Sequence, residues 1–228
     1  MGCYRKAANQ GFAAAQNCLA ACYLNGEGVA KNMRKAVEWY RKAANQGFAD
    51  AQNNLGVCYL NGEGVRKNLR KAAEWYRKAA DQGYAVAQYN LGCCYDDGHG
   101  VEKDLRKAVE WYRRAADQGF ADAQRNLGLS YRNGEGVKKD LRKMVEWFRK
   151  AANQGFARAQ SNLGVWYEKG EGVKKDLRKA VKWYRKAADQ GCAIAQHNLA
   201  LCYENGKGVK KDSRKAAELY RKAAADGK

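Results

Sequence analysis

Proline is absent from this 228-residue chain, so the sequence predicts neither a proline-rich linker nor a helix broken by proline. No apolar run approaches the ~18 consecutive residues that a membrane-spanning helix needs. The segment from Met1 to Lys6 lacks the continuous apolar stretch of a secretory signal. We therefore expect no membrane span and no signal peptide.

Groups that commonly perform catalysis are scarce. The only histidines, His99 and His197, lie far apart in the sequence. No nucleophile–base pair and no phosphate-binding glycine loop is recognisable. The sequence therefore predicts a non-enzymatic protein that needs no cofactor.

A period of 36 residues runs through nearly the whole chain. Tyrosine, leucine and a Gly-Val pair each recur at this spacing: Tyr23, Tyr59, Tyr95, Tyr131, Tyr167 and Tyr203; Leu19, Leu55, Leu91, Leu127, Leu163 and Leu199; Gly28-Val29 and its five later copies. We expect six tandem repeats over residues 15–228, starting near residues 15, 51, 87, 123, 159 and 195. Residues 1–14 are then a partial repeat that contributes only a second helix.

The first half of each repeat has helical spacing. Ala51, Leu55 and Tyr59 are four residues apart and share one helical face. Asn61-Gly62 is a helix C-terminal signal, and Gly64 in the following loop is expected to adopt a backbone conformation that other residues avoid.

The second half predicts another helix, from Leu69 to Ala80, capped by Asn68. Glu74 and Lys78 are expected to form an ion pair on its outer side. Its apolar stripe comprises Ala72, Ala73, Tyr76, Ala79 and Ala80. Because neither helix can bury its apolar face alone, the stacked array is the folding unit.

The repeated motifs Ala-Gln-x-Asn-Leu-Gly-x-x-Tyr, Gly-x-Gly-Val-x-Lys-Asp and Lys-Ala-x-x-Trp-Tyr-x-Lys-Ala-Ala-x-Gln-Gly resemble the Sel1-like repeat, a relative of the tetratricopeptide repeat. The resemblance implies an all-α fold, a right-handed superhelical α-solenoid of antiparallel helix hairpins. It also implies a concave groove and a scaffold or adaptor that assembles protein complexes.

Some secreted members of this family are described as penicillin-binding proteins or β-lactamases, with a cysteine pair bridging the two helices of each repeat. The matching positions here, such as Gln52 and Ala80, are not cysteine. A serine β-lactamase also needs Ser-x-x-Lys, and none of Ser130, Ser161 and Ser213 has lysine three residues on.

The eight cysteines behave as small hydrophobic residues. Cys22, Cys58, Cys94 and Cys202 share one repeat position, and Cys3 stands where tryptophan occurs in other repeats. Equivalent positions of adjacent repeats should lie about 10 Å apart, beyond the ~7 Å limit for a disulfide. This pattern favours a reducing, cytoplasmic location and no metal site.

Comparing the repeats with one another separates fixed positions from variable ones. Gln52, Asn54 and their copies are nearly invariant and are expected to make repeated hydrogen bonds between helices. The variable positions of the first helix follow a three–four–three spacing, which forms one helical stripe. This stripe is the candidate partner-binding groove, and its selected members are Asn53, Tyr89, Asp96, Asp122, Arg125, Arg132, Arg158, Ser161, Glu168, His197 and Glu204. The alternative is that this variation marks unconstrained solvent positions.

Positive charge dominates, with 43 Lys and Arg against 24 Asp and Glu, a formal net charge of +19. It concentrates on the second helices and the loops before them, at positions that recur unchanged. We expect the partner to be a protein or peptide, and acidic proteins and peptides are among the candidates. Binding of nucleic acid or another polyanion by the basic second-helix face is the alternative. End-to-end self-association of the array is a further candidate interaction.

Overall fold

The computed structural model describes the backbone of residues 2–226 and the side chains of residues 5–226. Within these bounds the chain forms thirteen α-helices and no strand, as predicted for an all-α solenoid. It divides into two compact units, residues 1–118 and 119–228. The first unit contains α1 (Gly2–Asn9), α2 (Ala13–Asn25), α3 (Met33–Asn45), α4 (Ala49–Asn61), α5 (Leu69–Asp81), α6 (Ala85–Asp97) and α7 (Leu105–Asp117). The second contains α8 (Ala121–Asn133), α9 (Leu141–Asn153), α10 (Ala157–Lys169), α11 (Leu177–Ala188), α12 (Ala193–Asn205) and α13 (Ser213–Asp226).

The first helix of each hairpin ends where the sequence predicts. Helix α4 stops at Asn61, and Gly62 follows in the left-handed region with φ of 81°. The Gly62 N–H donates to the Cys58 carbonyl at 2.9 Å, which satisfies one of the last carbonyls of the helix. The chain then turns back, and the Asn68 N–H donates to the Tyr59 carbonyl at 2.8 Å. This bond holds the start of the second helix against the end of the first.

Side-chain caps begin the second helices. The Asn68 side chain accepts a hydrogen bond from the Lys71 backbone N–H at 2.9 Å, at the start of α5. Asp140 makes the same kind of bond to the N–H groups of Arg142 and Lys143, both at 3.0 Å. The predicted caps are therefore confirmed, for asparagine and for aspartate.

Small residues and one aromatic ring fill the core of each hairpin. The predicted stripe of α5 is buried throughout: Ala72, Ala73, Tyr76, Ala79 and Ala80. Leu55 of α4 is also fully buried. Within each unit every second helix contacts the first helix of the next hairpin, as α3 does with α4 and α5 with α6. Stacking thus covers apolar faces that a single hairpin would leave in water.

The invariant glutamines connect successive hairpins. The Gln52 side chain donates to the Ala44 carbonyl of the preceding hairpin at 3.1 Å and accepts from Gln82 of its own hairpin at 2.7 Å. Asn54 likewise donates to Asn17 at 3.1 Å. The predicted hydrogen bonds between helices are confirmed.

The loop glycine performs a packing role as well as a conformational one. Gly64 has φ of 71°, as the sequence predicts. A Cβ atom there would lie 2.2 Å from the Met33 carbonyl oxygen, at the start of the preceding second helix. Only a residue without a side chain lets the two backbones approach this closely.

Candidate partner-binding surface

Two members of the predicted stripe lie inside the molecule. Asn53 is 5% exposed and Ser161 is 3% exposed. The Asn53 side-chain oxygen accepts a hydrogen bond from Asn90 of the next hairpin at 2.8 Å, so this residue belongs to the contact between hairpins. The Ser161 hydroxyl has no hydrogen-bond partner among the described residues. Neither side chain is available to a partner at the surface.

Three acidic members of the stripe are already engaged by phenol groups. Asp96 accepts from the Tyr112 hydroxyl at 3.1 Å, Glu168 from Tyr184 at 2.8 Å and Glu204 from Tyr220 at 2.9 Å. Burial, followed by the hydrogen bond to Glu168, raises the pKa of Tyr184. The phenol therefore stays protonated and keeps donating. Glu168 also lies 3.8 Å from the Lys207 ammonium group.

Two ring-bearing members of the stripe lie beside these phenols. The half-buried Tyr89 ring is 5.8 Å from the Tyr112 ring, centroid to centroid. The His197 ring is exposed and lies 5.4 Å from the Tyr220 ring. Both side chains rest on a second helix.

The remaining four members, Asp122, Arg125, Arg132 and Arg158, are exposed and lie on α8 and α10 of the second unit. Arg125 donates to its neighbour Asn126 at 3.3 Å. Among the described residues, Arg132 and Arg158 take part in no hydrogen bond or ion pair. The three arginines of the stripe therefore all lie on α8 and α10.

A pocket of about 380 Å³ lies between α8 and α10. Its lining combines alanines, one aromatic ring and three charged side chains: Ala121, Asp122, Arg125, Ala151, Phe156, Ala157, Arg158 and Ala159. Helix α10 begins here without a side-chain cap, because Phe156 occupies the cap position. The positive end of the helix dipole therefore adds to the charge of the two arginines.

Sequence reasoning missed three exposed apolar residues of the second unit. Phe156 is 46% exposed and Ile194 is 65% exposed. Leu201 of α12 is 37% exposed. Their repeat positions are occupied by apolar residues in several copies, so no feature of the sequence distinguishes exposed copies from buried ones.

The second-helix tryptophans are covered by cations. The Lys42 ammonium lies 4.1 Å from the Trp39 ring centroid, and Lys150 lies 3.8 Å from that of Trp147. Each tryptophan is half-buried. One face of these rings is therefore already occupied, which disfavours stacking of nucleic-acid bases on it.

Three of the seven described cysteines are buried in the core, as the sequence predicts. Cys58, Cys94 and Cys202 are buried free thiols, whereas Cys18 is exposed. Burial raises the pKa of Cys58 to about 11 and that of Cys94 to about 12. The side chain of Cys3 lies outside the described residues.

In the described part of the chain, no cluster of three or more potential ligands could hold a metal ion, and no helix is long and apolar enough to cross a membrane.

The similarity to known proteins covers the full length of the chain. The family model of the Sel1 repeat matches residues 1–12, 13–48, 49–84, 85–120, 121–156, 157–192 and 193–228. No curated protein matches. A protective antigen of uropathogenic Escherichia coli, which displays the SLR fold, is 38% identical with a TM-score of 0.95 over 99% of this chain. The match spans 48% of the E. coli protein, about half its length.

A Sel1 repeat protein from Oxalobacter formigenes is also similar. It is 40% identical with a TM-score of 0.79, and the match covers 94% of this chain and 86% of that protein. The Sel1 repeat fold is generally a scaffold for protein–protein interaction, and its members are generally not enzymes. This chain belongs to the Sel1 repeat family.

Proposed function

We propose that this protein is a non-enzymatic scaffold that binds a segment of another protein on α8 and α10 of its second unit. The observation that carries the proposal is the pocket between these helices, whose lining combines Arg125 and Arg158 with four alanines and Phe156. We also propose a reducing, cytoplasmic location, because the seven described cysteines are free.

The composition of this surface suits recognition of a protein. Arginine and aromatic residues are enriched among the side chains that dominate binding energy at interfaces. Four alanines supply apolar area in the pocket lining, and the exposed ring of Phe156 adds aromatic area. Arg158 has no partner within the described part of the chain, so binding would not break an existing ion pair.

Other parts of the stripe offer less to a partner. Asp96, Glu168 and Glu204 are held by phenol hydroxyls, and a partner would have to compete with those bonds. The basic second-helix face is uniform from repeat to repeat, which provides charge without positional specificity. The proposal therefore centres on α8 and α10.

The test is affinity capture from a cell lysate with three immobilised proteins. These are the wild type, the variant Arg125→Ala with Arg158→Ala, and the control Arg106→Ala with Arg142→Ala. The control removes two exposed arginines from second helices, so its net charge matches that of the first variant. Each capture is run at low and high salt, with and without nuclease.

We expect a discrete protein that the wild type and the control retain at high salt and after nuclease treatment. Loss of two hot-spot arginines should lower its affinity by about tenfold or more. Equal retention by all three proteins would contradict the proposed surface. Recovery of nucleic acid, or loss of the captured proteins with nuclease and salt, would instead assign binding to the basic second-helix face.

A further inference from the structure

The hairpin of α8 and α9 differs at two positions from three hairpins in which these positions contact each other. In three hairpins a first-helix acid accepts a hydrogen bond from a tyrosine sixteen residues later, as in Tyr184 to Glu168 at 2.8 Å. In the hairpin of α8 and α9, the acid is replaced by Arg132 and the tyrosine by Phe148. Phe148 remains in the core, 1% exposed, but it has no hydroxyl to donate. This double change removes the phenol–acid bond and leaves a cation at the surface.

The acid of the next hairpin forms no ion pair with this cation in the described structure. Glu168 occupies the equivalent position of the next hairpin, where it accepts from Tyr184 and lies 3.8 Å from Lys207. Arg132 itself is exposed and makes no ion pair within the described part of the chain. It is therefore available to an anion from outside.

Arg132 lies on the same face of α8 as Arg125. Seven residues in a helix turn through about 700°, which is within about 20° of two full turns, and rise about 10 Å. Arg158 lines the same pocket as Arg125, and Asp122 is the only acid in that lining. The surface thus has two positions of positive charge, about 10 Å apart along α8. Arg132 forms one of them, and Arg125 together with Arg158 forms the other.

We infer that the occupant of this surface is an acidic peptide segment in the polyproline II conformation, with two carboxylates three residues apart. Three residues of this left-handed helix make one turn and rise about 9 Å, so carboxylates at i and i+3 share a face. That spacing is close to the rise of about 10 Å between Arg125 and Arg132. One carboxylate is shared by Arg125 and Arg158, and the other contacts Arg132; guanidinium and carboxylate form two parallel hydrogen bonds in such pairs. A small apolar side chain beside the first carboxylate contacts the alanines that line the pocket. This inference rests on the proposed function and specifies its ligand.

The first test is a selection of displayed random dodecapeptides against the wild-type protein. The counter-selection uses the triple variant Arg125→Ala, Arg132→Ala and Arg158→Ala. We expect enrichment of peptides with Asp or Glu at positions i and i+3. Enriched peptides that depend on the arginines but lack this spacing would overturn the inference and leave the proposed function standing. No enrichment over the triple variant would overturn both.

The second test replaces the cation at position 132 by the phenol–acid hydrogen bond found in three other hairpins. The variant Arg132→Glu with Phe148→Tyr recreates the phenol–acid combination that three hairpins of this chain already contain. We expect a wild-type melting temperature and a loss of affinity for the selected peptide of about tenfold or more. Arg132→Ala, which leaves the core untouched, should also weaken binding. Unchanged affinity in both variants, or an equal loss in Arg106→Ala with Arg142→Ala, would overturn the role of Arg132.

Discussion

The Gln196 side chain donates a hydrogen bond to the Asp226 carboxylate at 2.7 Å, at a position where other hairpins place one glutamine against another. In those hairpins the second glutamine is the donor, as Gln190 is to Gln160 at 2.8 Å. A carboxylate cannot donate, so the direction of the bond is reversed. The Gln196 side-chain oxygen is consequently buried without a hydrogen-bond partner in the described structure.

Replacing Asp226 by glutamine should stabilise the second unit. The new amide can donate to the Gln196 oxygen, and Gln196 can then approach the Ala188 carbonyl more closely than the present 3.4 Å. Satisfying a buried acceptor is worth about 1 kcal/mol. Urea unfolding should show the gain. Asp226→Met, which removes the charge and has a side chain of similar length to glutamine but cannot donate, separates this effect from relief of a negative charge at the helix C-terminus. Equal stability of the two variants would contradict the hydrogen-bond explanation.

Two glycines with similar backbone conformations should differ in their tolerance of alanine. Gly155 and Gly172 have φ of 97° and 71°, so a side chain is strained at both. At Gly155 no atom lies within 4 Å of the added Cβ, whereas at Gly172 the Leu141 carbonyl oxygen would lie 2.2 Å from it.

We expect Gly155→Ala to cost about 1 to 2 kcal/mol from backbone strain alone. Gly172→Ala should cost more, by about 1 to 3 kcal/mol, because two backbone segments must separate. Urea denaturation of both variants measures the difference. Equal costs would show that the contact with Leu141 adjusts freely.

The fold was predictable from the sequence because local chemistry determines it. Asn68 caps a helix and Gly64 adopts positive φ through interactions encoded within a few residues. Competition between neighbours was less predictable. Lys78 lies 4.2 Å from the Trp75 ring centroid and Glu74 contacts Arg70 at 3.5 Å, so the predicted Glu74–Lys78 ion pair is replaced by two other contacts.

The candidate site was only partly predictable, because residues at equivalent positions of different repeats can have different environments. Asn53 and Arg125 occupy equivalent places in the sequence pattern. Asn53 is drawn into the contact between hairpins by a hydrogen bond from Asn90, whereas Arg125 remains exposed. Periodicity identifies the face of a helix, but the side chain's partner decides whether it reaches solvent. The pocket itself depends on packing between two hairpins, which no single repeat encodes.

Thiol reactivity should separate the cysteines by burial. Cys18 is exposed, whereas Cys58, Cys94 and Cys202 are buried. Burial, the largest cause, raises the pKa of Cys202 to about 11, so its thiolate is rare near neutral pH. We expect iodoacetamide to label Cys18 in the native protein well before these three. Peptide mass spectrometry assigns the sites, and labelling in urea provides the reference. Rapid native labelling of Cys58 would contradict its packing in the core.

The aspartate caps should make stability depend on pH in a defined direction. The Asp176 carboxylate accepts from the Lys179 backbone N–H at 2.9 Å and lies 3.4 Å from the Lys179 ammonium. These contacts, the backbone hydrogen bond foremost, lower the pKa of Asp176 from its ordinary value. Because the folded-state pKa is depressed, the stabilisation is fully present above the unfolded-state pKa of about 3.9 and is lost as pH falls through the folded-state value.

Replacing Asp176 by alanine should therefore lower the melting temperature at about pH 7 and lower it less at about pH 3. Asp176→Asn is the matched control, since asparagine caps the equivalent helix at Asn68 without a titrating group. Its melting temperature relative to the wild type should be lower at neutral pH and should recover in acid. Thermal melts followed by circular dichroism across this pH range measure all three proteins. An alanine penalty that stays constant with pH would show that the charge of Asp176 contributes nothing to its capping role.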